Sequence, residues 1–235
     1  MPHERLENAD PTDDLHPALR SAGWPQPVSR VPGVTVRDAR AEDHAAIAHL
    51  TVTSYIDGGH IDPEDEYIAN LQDVATRARQ ARVLVGEVEA AALTESLPGT
   101  PAATDTPTTP DAGPAALGAA GPVIAGSVVL TLPGMPMSET AREGELEFRM
   151  LAVDPRVQRR GVARALVRAA IDRAEQLEGV AAVVLTTMES MSGAHRLYES
   201  EGFVRVPERD WRLSDIGQAP TSGEDPLYWV YRRAV

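Results

Sequence analysis

Residues 151–167, LAVDPRVQRRGVARALV, place three polar or basic residues and a glycine between an apolar strand and an apolar-periodic helix. The first amides of a helix have no intrahelical acceptor, and the helix dipole adds partial positive charge there. Gly161 lets a ligand approach the backbone closely. The stretch from Gln158 to Ala163 is therefore suited to hold a phosphate. An ordinary strand–turn–helix connection with a solvated basic surface is the alternative, and this stretch alone does not decide between them.

A second polar cluster, DGGHID at 57–62, brings together Asp57, His60 and Asp62. Its spacing matches no defined pattern of metal ligands, so we expect loop solvation or helix capping there and no metal. The chain has no cysteine, which excludes disulfides, a thiol nucleophile and cysteine-bound metal.

Charge and hydropathy exclude further classes of protein. The net charge of −13 disfavours a nucleic-acid binder, which needs a basic face to neutralise phosphates. No run of 18 apolar residues is present, so we expect no membrane span. The first 20 residues are polar and acidic, unlike a secretory signal. Together these features predict a cytoplasmic protein.

The elements that must position the phosphate-type loop follow from hydrophobic periodicity. Strands are predicted at 33–39, 82–89, 122–132, 144–153, 179–188, 203–208 and 227–235. Helices are predicted at 41–56, 62–81, 160–178 and 192–202, with Asp62 as the N-cap of the second. This order predicts one α/β domain with a mixed, mostly antiparallel central sheet of about six or seven strands and about four helices.

Two segments are predicted to lie outside the packed domain at 34–235. Residues 1–33 have little apolar periodicity and are expected to form a poorly ordered arm. Residues at about 91–121 are mostly Ala, Thr, Pro and Gly and contain no aromatic side chain. Such a composition cannot bury a core, so we predict a disordered insertion at the tip of a hairpin.

The run from Gln158 to Ala163, which follows the LAVDP strand, resembles the Q/R-x-x-G-x-G/A loop of the GCN5-related N-acetyltransferases. Downstream, AHRLYE at 194–199 followed by Gly202-Phe203 is similar to that family's A-x-x-L-Y-E-x-x-G-F segment. The resemblance covers about 34–235 apart from the insertion. It implies the family's fold, strands that splay apart after Val153 at the acyl-CoA site, and acetyl-CoA as cosubstrate.

Coenzyme contacts implied by the resemblance come from the loop, the preceding strand and the downstream segment. They are Gln158, Arg159, Arg160, Gly161, Val162 and Ala163 for the pyrophosphate, Leu151, Ala152 and Val153 for the pantetheine arm, and His195 and Tyr198 near the coenzyme. A lone surface histidine is the alternative for His195. Dinucleotide binding is excluded, because this loop has one glycine where G-x-G-x-x-G is required.

Acetyl transfer to an amine must remove a proton from the amine and is helped by protonation of the leaving thiolate. The resemblance implies Glu147 as the base, and Glu145 lies on the same strand face as its substitute. A solvent-facing glutamate or an ordered-water relay is the alternative. Tyr198 is implied as the acid, since a phenol of pKa about 10 can donate to a thiolate whose pKa is near 8.5. The alternative is a packed tyrosine bonded to a backbone carbonyl.

The activity implied is direct transfer of acetyl from coenzyme A to a primary amine on a small molecule or a peptide. Asp57, His60, Tyr67 and Trp211 are candidates for lining the acceptor site. A non-catalytic module that senses acyl-CoA is the other hypothesis, because Met191 stands where relatives often have asparagine. A homodimer is possible, as dimers are the commonest assembly.

Overall fold

The computed structural model describes residues 24, 26–27, 31–94, 121–217 and 225–235; most of the predicted arm and insertion lies outside them. The helices are α1 (His44–Asp57), α2 (Tyr67–Gln72), α3 (Val74–Gln80), α4 (Ala91–Thr94), α5 (Val162–Gln176) and α6 (Ser192–Ser200). The strands are β1 (Thr35–Asp38), β2 (Arg82–Glu89), β3 (Pro122–Thr131), β4 (Glu145–Val153), β5 (Ala182–Met188), β6 (Val204–Arg205), β7 (Trp211–Arg212) and β8 (Leu227–Ala234).

The eight strands form one sheet in the order β1-β2-β3-β4-β5-β8-β6, and β7 pairs with β8. Only the β4–β5 pair is parallel within the described sheet. The predicted α/β class with a mixed, mostly antiparallel sheet is confirmed. The sheet has one strand more than predicted because β7, at Trp211–Arg212, is too short to show alternation in the sequence.

The two central strands part halfway along β4. Residues 145–148 pair with β5, whereas β5 stays paired with β8 through Met188. The other edge of β4 remains paired with β3 as far as Val153, across a β-bulge at which Met150 has φ 50°. A bulge bends its strand and increases the local twist. The strands therefore separate after Phe148, which corrects the expectation that they splay after Val153.

Helix α5 lies directly on the strands beside this opening. A Cβ on Gly126 of β3 would come within 2.7 Å of Val162 Cγ1 and 3.0 Å of the Ala152 carbonyl oxygen. Only a glycine allows this approach, so the start of α5 is held close to β3 and β4. Helix α1 also packs on β3 and β4. None of the helices described is long and apolar enough to cross a membrane.

The helix predicted at 62–81 is instead two short helices. Asp73 ends α2 with ψ 66°, and its carboxylate accepts a hydrogen bond from Thr76 N at 3.0 Å to cap α3. Asp62 is not the cap of α2, because the chain turns there and the carboxylate of Asp65 accepts from the amide two residues later at 2.8 Å. Asp73 therefore caps α3, whereas α2 has no side-chain cap at its N-cap residue Glu66, and the prediction of one helix was wrong.

Parts of the predicted arm contact the folded domain. Trp24 is 8 % exposed and belongs to the hydrophobic core, where the guanidinium of Arg173 lies 5.6 Å from its ring centroid. Val31 lies against Gly161 at the start of α5. The packed unit therefore includes residues before 34, which corrects that predicted boundary.

The ends of the predicted insertion meet. Glu89 of β2 pairs with Pro122 of β3, and Ala90 N donates to the Gly121 carbonyl oxygen at 3.1 Å. The strands thus form a hairpin, with the short helix α4 at the beginning of its connection. Residues 95–120 of that connection lie outside the described part of the chain.

Candidate active site

The loop between β4 and α5 turns through two residues with left-handed backbone, Arg159 at φ 64° and Gly161 at φ 87°. The Gly161 carbonyl oxygen accepts the first helical hydrogen bond, from Ala165 N at 2.8 Å. The amides of Val162 and Ala163 belong to the first helical turn, so they have no intrahelical acceptor. This geometry presents donors and the positive end of the α5 dipole to an anion.

The base of this loop is held by Asp154. Its carboxylate accepts from the Arg156 backbone amide at 2.9 Å and pairs with the Arg156 guanidinium at 2.7 Å. Burial opposes its ionisation, but the hydrogen bonds from Arg156 outweigh burial and lower the pKa of Asp154. Asp154 N also donates to the Ala125 carbonyl oxygen at 2.9 Å. The loop is thereby fixed to β3 at the end of β4.

The second half of β4 faces the opening with an unpaired backbone edge. Residues 149–153 have no partner in β5, although Ala152 and Val153 pair with β3 on the opposite edge. Leu151 and Val153 are half-buried and Ala152 is buried. Free amides and carbonyls along a strand edge can bind an extended ligand by strand-like hydrogen bonds.

Glu147 is fully buried, which rules out the solvent-facing alternative. Its Oε2 accepts four hydrogen bonds from the β3–β4 loop: Ser138 Oγ at 3.0 Å and the amides of Glu139 at 2.9 Å, Thr140 at 3.1 Å and Ala141 at 3.1 Å. Its Oε1 has no hydrogen-bond partner among the described residues. The nearest cation is Arg149, whose Nε lies 3.9 Å from Oε1. Glu147 thus anchors a loop and keeps one oxygen for another role.

Glu145, the predicted substitute, has both oxygens occupied. Arg209 donates to both of them at 3.0 Å, Arg232 Nε donates to Oε1 at 2.8 Å and Arg142 N donates to Oε2 at 3.0 Å. Burial disfavours the carboxylate, but these donors outweigh it and lower the pKa of Glu145. Glu145 is therefore a structural carboxylate, which corrects its assignment as an alternative base.

Tyr198 lies on α6 and packs on the face of β4 opposite Glu147. It is 5 % exposed, and its ring packs edge-on against Phe148 at 5.7 Å and Phe203 at 6.2 Å. Burial raises the pKa of Tyr198, so the phenol stays protonated at neutral pH. No hydrogen bond to its hydroxyl is formed by the described residues, and the predicted alternative of a carbonyl partner does not hold. The ring is fixed while the hydroxyl is available as a donor.

His195 is not a surface residue, as the alternative expected. It is 7 % exposed, its ring stacks on Trp229 at 4.7 Å, and its Nε2 lies 3.0 Å from the Met188 carbonyl oxygen. These contacts attach α6 to β5 and β8. The role of His195 as a coenzyme contact stays a prediction, made for a ring that is packed inside the domain.

The acceptor candidates lie on different segments around the sheet. Tyr55 and His60 meet edge-on at 6.2 Å at the end of α1, and burial lowers the pKa of His60. Trp211 stacks on Tyr228 at 4.5 Å. Burial raises the pKa of Tyr67, and the neighbouring Arg149 offsets part of that increase. Asp57 is exposed at the end of α1.

No group of three or more metal-ligating side chains occurs in the residues described.

Sequence reasoning missed Arg149 and its partners. Arg149 donates to the Met137 carbonyl oxygen at 2.5 Å and pairs with Glu139, whose pKa is raised by burial. The signal was present for Arg149, because it continues the period-two face of Glu145 and Glu147 along the strand. Nothing in the sequence indicated that the loop at 138–141 would fold over that face.

Comparisons with known proteins agree with this architecture. The model of the acetyltransferase (GNAT) family matches residues 89–203, which confirms the resemblance to the GCN5-related N-acetyltransferases. An N-acetylaspartate synthetase of Danio rerio is 39 % identical over 79 residues, which are 33 % of this chain and 28 % of the relative. The match therefore spans just over a quarter of that relative's length.

Solved structures share the fold at low sequence identity. The structure of yncA from Salmonella typhimurium with its cofactor acetyl-CoA is 17 % identical, with a TM-score of 0.53 over 86 % of this chain and 94 % of that chain. Arabidopsis thaliana NAA60 in complex with a bisubstrate analogue is 16 % identical, with a TM-score of 0.53 over 86 % of this chain and 99 % of that chain.

Proposed function

We propose that this protein is an acetyl-CoA-dependent N-acetyltransferase that moves acetyl to a primary amine by direct attack. The opening between β4 and β5 is the observation that supports it best. One end of the opening meets the phosphate-type loop, Gln158–Ala163. Tyr198 packs against Phe148 on one face of β4 and Glu147 lies on the other face, so the acid and the base that we assign lie on opposite faces of the strand that would hold the thioester.

The loop and the free edge of β4 are suited to coenzyme A. The amides at Gly161, Val162 and Ala163 would receive the pyrophosphate, and the unpaired backbone of Leu151–Val153 would bind the pantetheine arm. Backbone amides at the bulge near Leu151 would stabilise the negative charge that develops on the thioester oxygen. The glycine is required here, because Gly161 has φ 87° and a Cβ would come within 2.8 Å of Val31 Cγ1.

The proton steps follow from the two side chains. The ammonium form of the acceptor loses one proton, which ends on Oε1 of Glu147. The free amine attacks the thioester carbon, and the C–S bond breaks as Tyr198 donates its proton to the departing sulfur. The nitrogen then loses its second proton, which replaces the one given by Tyr198, so that the products are the neutral amide and the thiol of coenzyme A. A chain without cysteine cannot form an acyl-cysteine intermediate, which favours direct attack.

Thermal unfolding tests the coenzyme site first. We expect acetyl-CoA or coenzyme A, each at about 100 times its Kd, to stabilise the protein by about 2.7 kcal/mol. For a chain of this size that raises Tm by about 5–10 °C. NAD and ATP at the same concentration should not reproduce this increase. Equal Tm with and without acetyl-CoA would reject the proposal.

A panel of amines then tests turnover. L-Aspartate is the first acceptor to try, because of the local match to an N-acetylaspartate synthetase, followed by other amino acids, small amines and peptide N-termini. Glu147→Gln and Tyr198→Phe should each lower kcat by about 10²–10⁴-fold. Tyr231→Phe is the control, since this buried hydroxyl bonds Glu199 at 3.1 Å. Coenzyme binding without acetylation of any amine would favour the sensing module instead.

A further inference from the structure

Thr131 and Glu147 are direct neighbours across β3 and β4. Both residues are fully buried. Register partners on antiparallel strands share a face, with Cβ atoms about 4.5–5.5 Å apart. Neither Thr131 Oγ1 nor Glu147 Oε1 has a hydrogen-bond partner in the described part of the chain. Two adjacent buried polar atoms without hydrogen bonds would lower the stability of the folded state. We therefore expect a group between them that bonds to both.

Arg149 supplies a third polar group at the same place. It lies two residues beyond Glu147 on the same strand face, and its Nε is 3.9 Å from Glu147 Oε1, too far for a direct hydrogen bond. Its two Nη atoms already donate to Met137 and Glu139. A hydroxyl, a carboxylate oxygen and an N–H donor therefore converge, which is the set of partners that an internal water requires.

We propose that Thr131 is a positioning residue for Glu147, and that Thr131, Glu147 and Arg149 together hold one enclosed water through which the acceptor's proton reaches Oε1. This inference deepens the proposed function and rests on it. An amine cannot contact the carboxylate directly, because Glu147 is fully buried and its Oε2 already accepts four hydrogen bonds.

The relay conserves protons and leaves the water unchanged. The ammonium N–H gives its proton to the water, and the water passes one of its own protons to Glu147 Oε1. Thr131 Oγ1 accepts or donates as the water reorients, because a hydroxyl does both. Arg149 Nε only donates and so fixes the orientation of the water oxygen.

Substitution of Thr131 tests the relay. Thr131→Val keeps the shape and removes the hydroxyl, and should lower kcat about tenfold or more while KM for acetyl-CoA stays the same. Thr131→Ser should restore kcat. Thr51→Val is the matched control, because Thr51 is equally buried but bonds the Ile47 carbonyl oxygen of its own helix at 2.7 Å. Unchanged kcat in Thr131→Val would overturn the proposal, as would a loss that serine does not restore.

Two readouts do not depend on turnover. A high-resolution crystal structure of the full chain should show the water within hydrogen-bonding distance of Thr131 Oγ1 and Glu147 Oε1, and its absence would overturn the inference. Thr131→Val should also lower Tm, since it removes a partner of the water. If the hydroxyl had no partner, the methyl group would raise Tm instead. A wild-type protein that does not bind acetyl-CoA would reject the proposed function itself, independently of this water.

Discussion

The two halves of β4 differ in what their backbone does. Residues 145–148 pair with β5, and Glu147 and Phe148 also pair with β3 on the other edge, so the backbone of this half is held inside the sheet. Residues 149–153 are paired on the β3 edge only. In the first half the side chains hold the surrounding loops through Glu145 and Glu147. In the second half the backbone itself is available to a ligand.

This difference shows how one strand serves both stability and binding. The change occurs at Met150, where the bulge interrupts the register with β3 and the strand leaves β5. Substitutions before this point should therefore act mainly on folding, and substitutions at or after it mainly on coenzyme affinity.

Glu145→Gln removes a charge from the first half of β4, and it should have the largest effect on stability of the variants proposed here. Arg209 is 7 % exposed in its side chain and would lose its carboxylate partner, at a cost of about 3 kcal/mol in the free energy of unfolding. Denaturant titration at neutral pH measures this loss. Glu143→Gln, at an exposed position, should change stability by about 0.5 kcal/mol or less. The Kd for acetyl-CoA should stay the same in both variants, and a large increase would contradict the division of β4.

The same variant has a defined pH dependence. Although burial opposes ionisation, the arginine donors lower the pKa of Glu145 in the folded state. Its contribution is therefore complete above the unfolded pKa of about 4.3 and decreases as pH falls toward the lower folded value. The stability gap between wild type and Glu145→Gln should narrow below about pH 4.3. A gap of constant size down to acid unfolding would show that the ion pairs do not supply the stability.

Met150→Val tests the junction. A β-branched residue rarely adopts φ 50°, so the variant should lose about 1–2 kcal/mol of stability. Flattening the bulge should also weaken acetyl-CoA binding about tenfold, equivalent to about 1.4 kcal/mol. Calorimetric titration measures the affinity, and Leu151→Val is the control on the same strand. Equal affinities of the two variants would show that the bulge does not open the site.

Gly126→Ala changes β3 beside the second half of β4. Of the three substitutions, it should have the smallest effect on stability and coenzyme affinity. The added Cβ would push Val162 at the start of α5, at a cost of about 1–2 kcal/mol. Coenzyme affinity should fall as well, because the first turn of α5 shifts. Gly193→Ala is the control, since a Cβ there meets nothing within 4 Å, and it should stabilise α6 by about 0.5–1 kcal/mol. If Gly126→Ala lowers stability but leaves the affinity for acetyl-CoA unchanged, the position of α5 does not control coenzyme binding.

Local patterns in the sequence predicted much of this fold. The loop at 158–163 and the helix after it were found from one glycine and the apolar period that follows. The prediction of one helix at 62–81 was wrong, because the apolar pattern continues through Asp73, whose carboxylate caps a second helix. Trp24 was missed because its packing partner Arg173 is distant in the chain.

The site was predicted less completely than the fold. Glu145 and Glu147 are two residues apart on one face and cannot be distinguished by local pattern. The structure separates them through Arg209 and Arg232, which bind the first, and through the loop at 138–141, which binds the second. His195 likewise looked like a surface residue until Trp229 covered its ring.

The sequence by itself determined most of the order of helices and strands, the phosphate-type loop and the family resemblance, because those features depend on residues within a few positions of one another. Only the tertiary structure decided where β4 leaves β5, which glutamate keeps a free oxygen and where His195 lies. Each of these depends on distant segments, as when Arg232 reaches Glu145 across 87 residues, and such contacts form only when the sheet assembles.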